Sequence, residues 1–484
     1  MHSQYLATPI LIESYPTMGA SHRTFAVVRL SFKVRLWFSR ARFTPIRVIL
    51  ADQLGGLAPH FPSDLQDEIR YYVCKTLYLK MKLKSMPEDF RVEELTHIKP
   101  SSGPFGLYRL DKCGLGTPEA MQAILHKWQI SRKDISYGGM KDRHADTTQY
   151  LTIFRGPHSG LTDRSFQLEY LGQCPQPFHA KDIAANRFDI YLRRIAAEDK
   201  EALSERCKLI QETGVANYFD DQRFGSIGYC GEIIGVPWCL GNYERTMYLA
   251  MAEPNQHDRP REKEQKEILR EYWGDWIKCK AMLERSHRRS VVTYLCDHPT
   301  DFKRAVSLIR IDLRSIYIAA FQSWVWNRWL SKLIVDGTGE SNVEYLSSAC
   351  GPIAIPLLKP TFEIAGSSLQ QLKLPLPSAR QHEWPSGTFE SLEQVLAPLQ
   401  MDVRQMRLKY PRDTFFSRGD RAAWLMPQEM SFGWGDDSYN PGFQCLRLTF
   451  VLPRGAYATM VVRYLFNEPI QEMDEESAQE SAFD

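Results

Sequence analysis

The segment Tyr137–Ile153, "YGGMKDRHADTTQYLTI", places two glycines and a Lys-Asp-Arg-His run directly ahead of a strand-like Gln-Tyr-Leu-Thr-Ile. The Ile135-Ser136-Tyr137 before the glycines is also β-rich, so residues 138–145 read as a loop between two strands. Gly138 and Gly139 are expected to let the chain turn sharply there. Asp142 then lies between Lys141 and Arg143. Two readings fit: a solvated surface turn, or an aspartate kept ionised by adjacent cations for chemistry on an anionic substrate.

Outward from the loop, strands dominate. "YVCKTLYLKMKLK" (72–84), "DFRVEEL" (89–95), "GPFGLYRLDKCG" (103–114) and "RFDIYLRRI" (187–195) all read as β. "TPEAMQAILHKWQI" (117–130) is an amphipathic helix with Thr117 as expected N-cap, Pro118 at its first position, and Met121, Ile124, Leu125 and Trp128 on the apolar face. "KEALSERCKLIQETG" (200–214) is a helix closed by Gly214. Strands with a few long helices give the class α+β. Beyond about Val236 the texture turns helical, and "LRSIYIAAFQSWVWNRWLSKLI" (313–334) is apolar on more than one face, the mark of a buried helix. Residues 336–430 show little periodicity. "CLRLTFVLPRGAYATMVVRYL" (445–465) reads as strand, turn, then strand or helix.

With 484 residues, 43% hydrophobic, the chain has room for two or three domains. Sixty Lys+Arg against 58 Asp+Glu exclude a polycation but leave room for a local basic groove. No apolar run is long enough to span a membrane. Ten scattered cysteines show no CxxC pair and no Cys/His ligand spacing, which suits a reducing compartment and small buried thiols. Residues 1–50 carry seven Lys or Arg and one acid, Glu13, without the order of a secretory signal. The expected organisation is a basic, poorly ordered extension (1–70), a catalytic domain (71–236), an insertion domain (237–435), the final catalytic segment (436–468) and a disordered acidic tail (469–484).

Five blocks, in order, carry a resemblance: "LKSMPEDFRVEEL", "YGGMKDRHADTTQ", "NYFDDQRFG", "AFQSWVWN" and "LPRGAYATMVVRYL". Together they resemble the TruD family of RNA pseudouridine synthases over residues 75 to 466. The resemblance implies a pseudouridine-synthase catalytic domain, a mixed and mostly antiparallel sheet with helices, interrupted by a TRUD insertion domain. It implies isomerisation of uridine to pseudouridine in tRNA, usually at position 13. Asp142 matches the family's catalytic aspartate. Lys84, Phe90, Asn217, Phe219 and Tyr457 match its site residues, and Lys141, Arg143 and Arg223 are candidate RNA contacts. Two positions depart from the pattern. Asp220 stands where many members have Gly, and Tyr464 follows Arg463 where an acid is common.

The residue chemistry agrees independently. The reaction breaks a C–N glycosidic bond, turns the uracil and joins C5 to the sugar, with no net redox and no phosphoryl transfer. Accordingly no cofactor and no metal are expected, and no GxGxxG, P-loop or zinc spacing appears. One carboxylate must act on sugar or base, and the base must be flipped out of its stack. Phe219 and Tyr457 offer ring faces and Asn217 an amide. No protein partner is implied, and a cytoplasmic monomer is expected. The rival classes are a catalytically silent RNA-binding or RNA-chaperone protein of the same fold, and a hydrolase that would release free uracil.

Overall fold

Alternation along "DFRVEEL" puts Phe90, Val92 and Glu94 on one face of a strand, and all three are buried. The same period runs through Tyr108, Leu110 and Lys112 of the next strand. The computed structural model, which describes residues 85–357, 363–364 and 366–466, assembles these strands into one mixed sheet. Lys84, the strand expected at 72–84, the leader and the acidic tail lie outside the described residues.

Nine strands make up the sheet among the described residues: β1 (Phe90–Thr96), β2 (Phe105–Cys113), β3 (Ile135–Tyr137), β4 (Asp146–Phe154), β5 (Leu161–Thr162), β6 (Phe166–Cys174), β7 (Ile183–Ile195), β8 (Gln428–Asp436) and β9 (Gln444–Pro453). Their order is β8-β9-β7-β1-β4-β2-β6-β5, with β3 also on β4. Only β1 and β4 run parallel among the described pairs. β4 is long enough to hold two partners on one edge: its first residues pair with β1 (Arg91 opposite Asp146) and its later ones with β3 (Tyr137 opposite Leu151). Its other edge is paired with β2 along its whole length. The loop 138–145 therefore opens where β3 ends and β4 begins, beside the start of β1 and the end of β2.

Helix α1 (Thr117–Trp128) packs Met121 and Ile124 against Tyr108, Leu110, Leu151 and Leu168 of the sheet. On other apolar ground, helix α2 (Lys200–Thr213), the buried helix α3 (Ile311–Thr338) and the closing helix α4 (Ala458–Phe466) share one continuous core with β1, β7 and β9. Trp326 and Trp329 of α3 are fully buried in it. The described residues belong to one compact unit, in which the chain leaves the sheet after β7 and returns at β8.

Two expectations need correction. The return to the sheet begins at Gln428, not at 436. β8 is an edge strand of largely exposed residues with two glycines, "QEMSFGWGD", so its apolar signal is weak. Of the two readings left open for its last part, "ATMVVRYLF" takes the helical one and buries eight of its nine residues. Thr117 is the first helical residue rather than the cap. Gly116 holds the cap position, and the threonine hydroxyl is used elsewhere.

Candidate functional site

The loop carrying Asp142 is held from beneath by two buried side chains. Thr117 accepts a hydrogen bond from the Lys141 backbone N–H at 2.9 Å and donates to Gln149 Oε1 at 2.8 Å. Lys112, 2% exposed, donates from Nζ to the Asp142 carbonyl oxygen at 2.8 Å. Asp142 itself is exposed at the surface of this tethered turn. Lys112 stands in register with Leu110 and Tyr108 on the buried face of β2, and that period-two register is the signal that marks it. Burial pushes its ammonium down to about 8, against the opposing pull of Asp142's charge.

The sequence neighbours of Asp142 are turned elsewhere. Lys141 Nζ lies 2.8 Å from the Glu94 carboxylate and donates to Asn186 Oδ1 at 2.8 Å. Glu94, fully buried on β1, also accepts the Tyr150 backbone N–H at 3.0 Å. Arg143 pairs with Glu119 of α1. Lys141 and Arg143 thus each pair with an acid of another element, and the buried cation under the Asp142 backbone is Lys112. The chain bends at Gly138 as it leaves β3, and neither glycine adopts a positive φ there. Gly138 is required by close approach, because a Cβ there would lie 2.6 Å from Ile183 Cδ1 and 3.1 Å from Phe178. Gly139 faces open space. Asp146, first residue of β4, pairs with Arg91 at 3.6 Å, and burial raises its carboxyl above the usual range.

Three of the other expected site residues, Asn217, Arg223 and Tyr457, lie about Phe219. Its backbone is clamped by Asn327 of α3, whose Oδ1 accepts the Phe219 N–H and whose Nδ2 donates to the Phe219 carbonyl, both at 2.8 Å. The ring meets Trp326 and Tyr457 edge-on, at centroid distances of 6.3 and 6.1 Å. Arg421 lays its guanidinium over the ring, 4.0 Å from the centroid, and Arg223 lies 5.6 Å from the same centroid. Phe219 is 8% exposed, so it is a core ring under an arginine rather than an open stacking face. Asn217 is equally engaged: Nδ2 donates to the Ala422 carbonyl at 2.8 Å and Oδ1 accepts from Arg421 at 2.5 Å. Phe90 is buried against Phe188, whose ring packs on Phe450. Tyr457 is half-buried at the turn before α4.

The sequence reading missed Arg421, Thr117's role and the clamp made by Asn327, which had been taken as helix core. It also left the two departures from the pattern unexplained. Asp220 is buried and pairs with the buried Arg463 at 3.1 Å, with Asp221 at 3.3 Å from the same guanidinium. Tyr464 accepts the Ala216 N–H at 2.9 Å. Both unusual side chains therefore tie residues 216–220 to α4. The acid of "MPEDF", Asp89, is also structural: it is buried and accepts from Arg193 Nε at 2.8 and 2.9 Å, while Arg193 also reaches Asp437 at 3.3 Å.

Comparison with known proteins follows the same outline. The sequence profile of the family described as tRNA pseudouridine synthase D (TruD) matches residues 66–465. A Methanocaldococcus jannaschii protein named "Probable tRNA pseudouridine synthase D 2" is 30% identical over 395 residues, covering 80% of this chain and 92% of its own length. A Leptospira interrogans protein named tRNA pseudouridine synthase D is 25% identical over 407 residues, covering 80% of this chain and 96% of its own. A crystal structure from Methanosarcina mazei described as "Putative tRNA pseudouridine synthase D (TruD)" superposes with a TM-score of 0.62 at 24% identity, covering 80% of this chain and 93% of that one.

Proposed function

We propose, from the premise that the chain belongs to the TruD family of tRNA pseudouridine synthases, that Asp142 is the carboxylate that acts on the target uridine. The enzyme is an isomerase: the bond from the sugar to uracil N1 breaks, the base turns, and a bond to C5 forms, with the C5 proton lost and N1 reprotonated. Atoms balance without an oxidant or a phosphoryl donor. The observation that carries the assignment is the tethered loop. Thr117 and Lys112 fix the backbone on either side of an exposed aspartate, so the point from which its side chain projects is set. Lys112 sets a buried side chain directly beneath the loop and holds the Asp142 carbonyl.

The target uridine, in tRNA and at position 13, is flipped out of its stack to reach Asp142. Asn217, Phe219, Tyr457 and Phe90 shape the wall of the receiving pocket. Phe219 and Asn217 act from behind Arg421, and Phe90 acts from the core. Lys84, outside the described residues, keeps its place as an expected site residue. Lys141 and Arg143 hold the loop through Glu94 and Glu119, and meet RNA with whatever N–H donors those pairs leave. A cytoplasmic location is supported by nine free thiols among the described residues, and no described helix is long and apolar enough to cross a membrane.

The test is incubation of the purified protein with unmodified tRNA, followed by pseudouridine mapping and assay of free uracil. Pseudouridine at position 13 without free uracil is the expected result. Free uracil would identify a nucleosidase. Tight RNA binding with no conversion would identify a silent RNA-binding protein.

A further inference from the structure

We infer that Arg421 and Arg223, set about the Phe219 ring, form a binding site for a phosphodiester of the substrate RNA strand. The inference rests on the reading of the chain as an RNA-modifying enzyme; Arg223 is already a candidate RNA contact, and what is added is Arg421, the pairing of the two guanidinium groups and the phosphodiester as their ligand.

Three observations carry it. First, both guanidinium groups lie close to one ring, 4.0 and 5.6 Å from its centroid. Second, among the described residues neither has a carboxylate within ion-pair distance. The two acids nearest in sequence to Arg223, Asp220 and Asp221, are both turned to Arg463. Third, the hydrogen bonds leave donors over. Arg421 donates to neutral oxygens only: Nε to the Asn217 carbonyl at 3.1 Å, Nη1 to the Gly455 carbonyl at 2.8 Å, and Nη2 to Asn217 Oδ1 at 2.5 Å and the Tyr218 carbonyl at 3.4 Å. One Nη1 hydrogen remains. Arg223 makes no guanidinium hydrogen bond among the described residues, and its Nε is buried without a partner.

Two like charges gathered without an acid cost free energy in the apo protein. The strain registers on Arg421: burial, with Arg223's charge adding to it and Tyr457 opposing, pushes its guanidinium down to about 10. An anion that the substrate brings would relieve it. A phosphodiester suits the forked N–H geometry of arginine, and RNA presents one on each side of a flipped nucleotide. Arg421 is itself bonded to Asn217, so occupation of this site would be felt directly by the Asn217–Phe219 segment.

The experiment uses the full-length protein and a short RNA carrying the target uridine, with single methylphosphonate linkages placed in turn on each side of it. Binding is measured across a range of salt. For wild type, one neutral linkage is expected to weaken binding about tenfold and to lower the salt slope by roughly 0.7. Arg223→Gln should bind the all-phosphate RNA with the same lowered slope and show no further loss at that linkage. Arg421→Lys, which keeps a cation and guards against unfolding, should retain part of the effect. Arg447→Gln, whose guanidinium is already paired with Asp189 at 2.8 Å, should respond to each linkage as wild type does. If every neutral linkage weakens wild type and Arg223→Gln equally while wild type still makes pseudouridine, the phosphate site is wrong. If wild type makes no pseudouridine, the functional reading fails instead.

Discussion

The loop around Asp142 and the cluster around Phe219 treat charge in opposite ways. At the loop, Lys141 faces Glu94, Arg143 faces Glu119, and Lys112 is bonded to Asp142's own carbonyl. At the cluster, Arg421 and Arg223 surround one aromatic ring and meet neutral oxygens or nothing. The paired network holds the loop from which one exposed aspartate projects. An unbalanced one waits for an anion. On the functions proposed above, the contrast amounts to a division of labour, with chemistry at the first region and grip on the RNA at the second.

The largest expected effect breaks the first region alone. Asp142→Asn is nearly isosteric and should lower the single-turnover rate of pseudouridine formation by about 10³-fold or more. Next comes the joint between the cluster and α4. Arg463→Met strands the buried Asp220 and should cost about 3–5 kcal/mol in denaturant unfolding. A loss below about 1 kcal/mol would mean that the pair is not what ties residues 216–220 to the helix.

Lys112 sharpens the comparison through pH. Its folded value, about 8, lies below the 10.5 of an ordinary lysine. Below pH 8 folding buries a charged ammonium. Between 8 and 10.5 the folded protein sheds that proton first, so this group's contribution to stability improves as pH rises through the window. Activity that depends on the charge moves the other way, and kcat should fall above pH 8. The groups acting on Lys112 are Asp142 and Lys141 of the loop, Glu119 of α1, Asp146 of β4 and Cys113 of its own strand. Lys112→Met should lose about tenfold in kcat with little change in KM. Lys112→Arg should keep activity and move the alkaline limb upward. A limb that stays put in Lys112→Arg would assign it to another group. The smallest effect is expected from Asp146→Asn, four residues from Asp142. Its pair with Arg91 is exposed and long, so kcat should stay within about threefold of wild type.

Much of this was legible in the sequence where the signal is local. The alternation of "DFRVEEL" and "GLYRLDKC", the amphipathic "TPEAMQAILHKW" and the all-apolar 313–334 segment each specify an element without reference to the rest of the chain. Asp142 was legible because its block is distinctive. What escaped were partnerships between distant residues. Arg421 reaches Asn217 across 204 positions from a weakly patterned stretch, and Asn327 clamps Phe219 across 108. Lys112 and Glu94 were readable in principle, since each stands in period-two register with buried apolar residues of its strand. Phe219 and Phe90 are expected site rings by their blocks, yet their burial comes from Arg421, Trp326 and Phe188, which no local pattern announces.

The division of labour is tested most directly by measuring tRNA affinity and single-turnover rate together, at saturating enzyme, in Asp142→Asn and in Arg223→Gln. The account expects Asp142→Asn to bind tRNA within about threefold of wild type and make almost no pseudouridine, because phosphate contacts carry most of the affinity. It expects Arg223→Gln to bind more weakly yet convert what it binds at close to the wild-type rate. If Asp142→Asn kept near-normal turnover, or if affinity and rate fell in step in both variants, the separation of chemistry from grip would be contradicted.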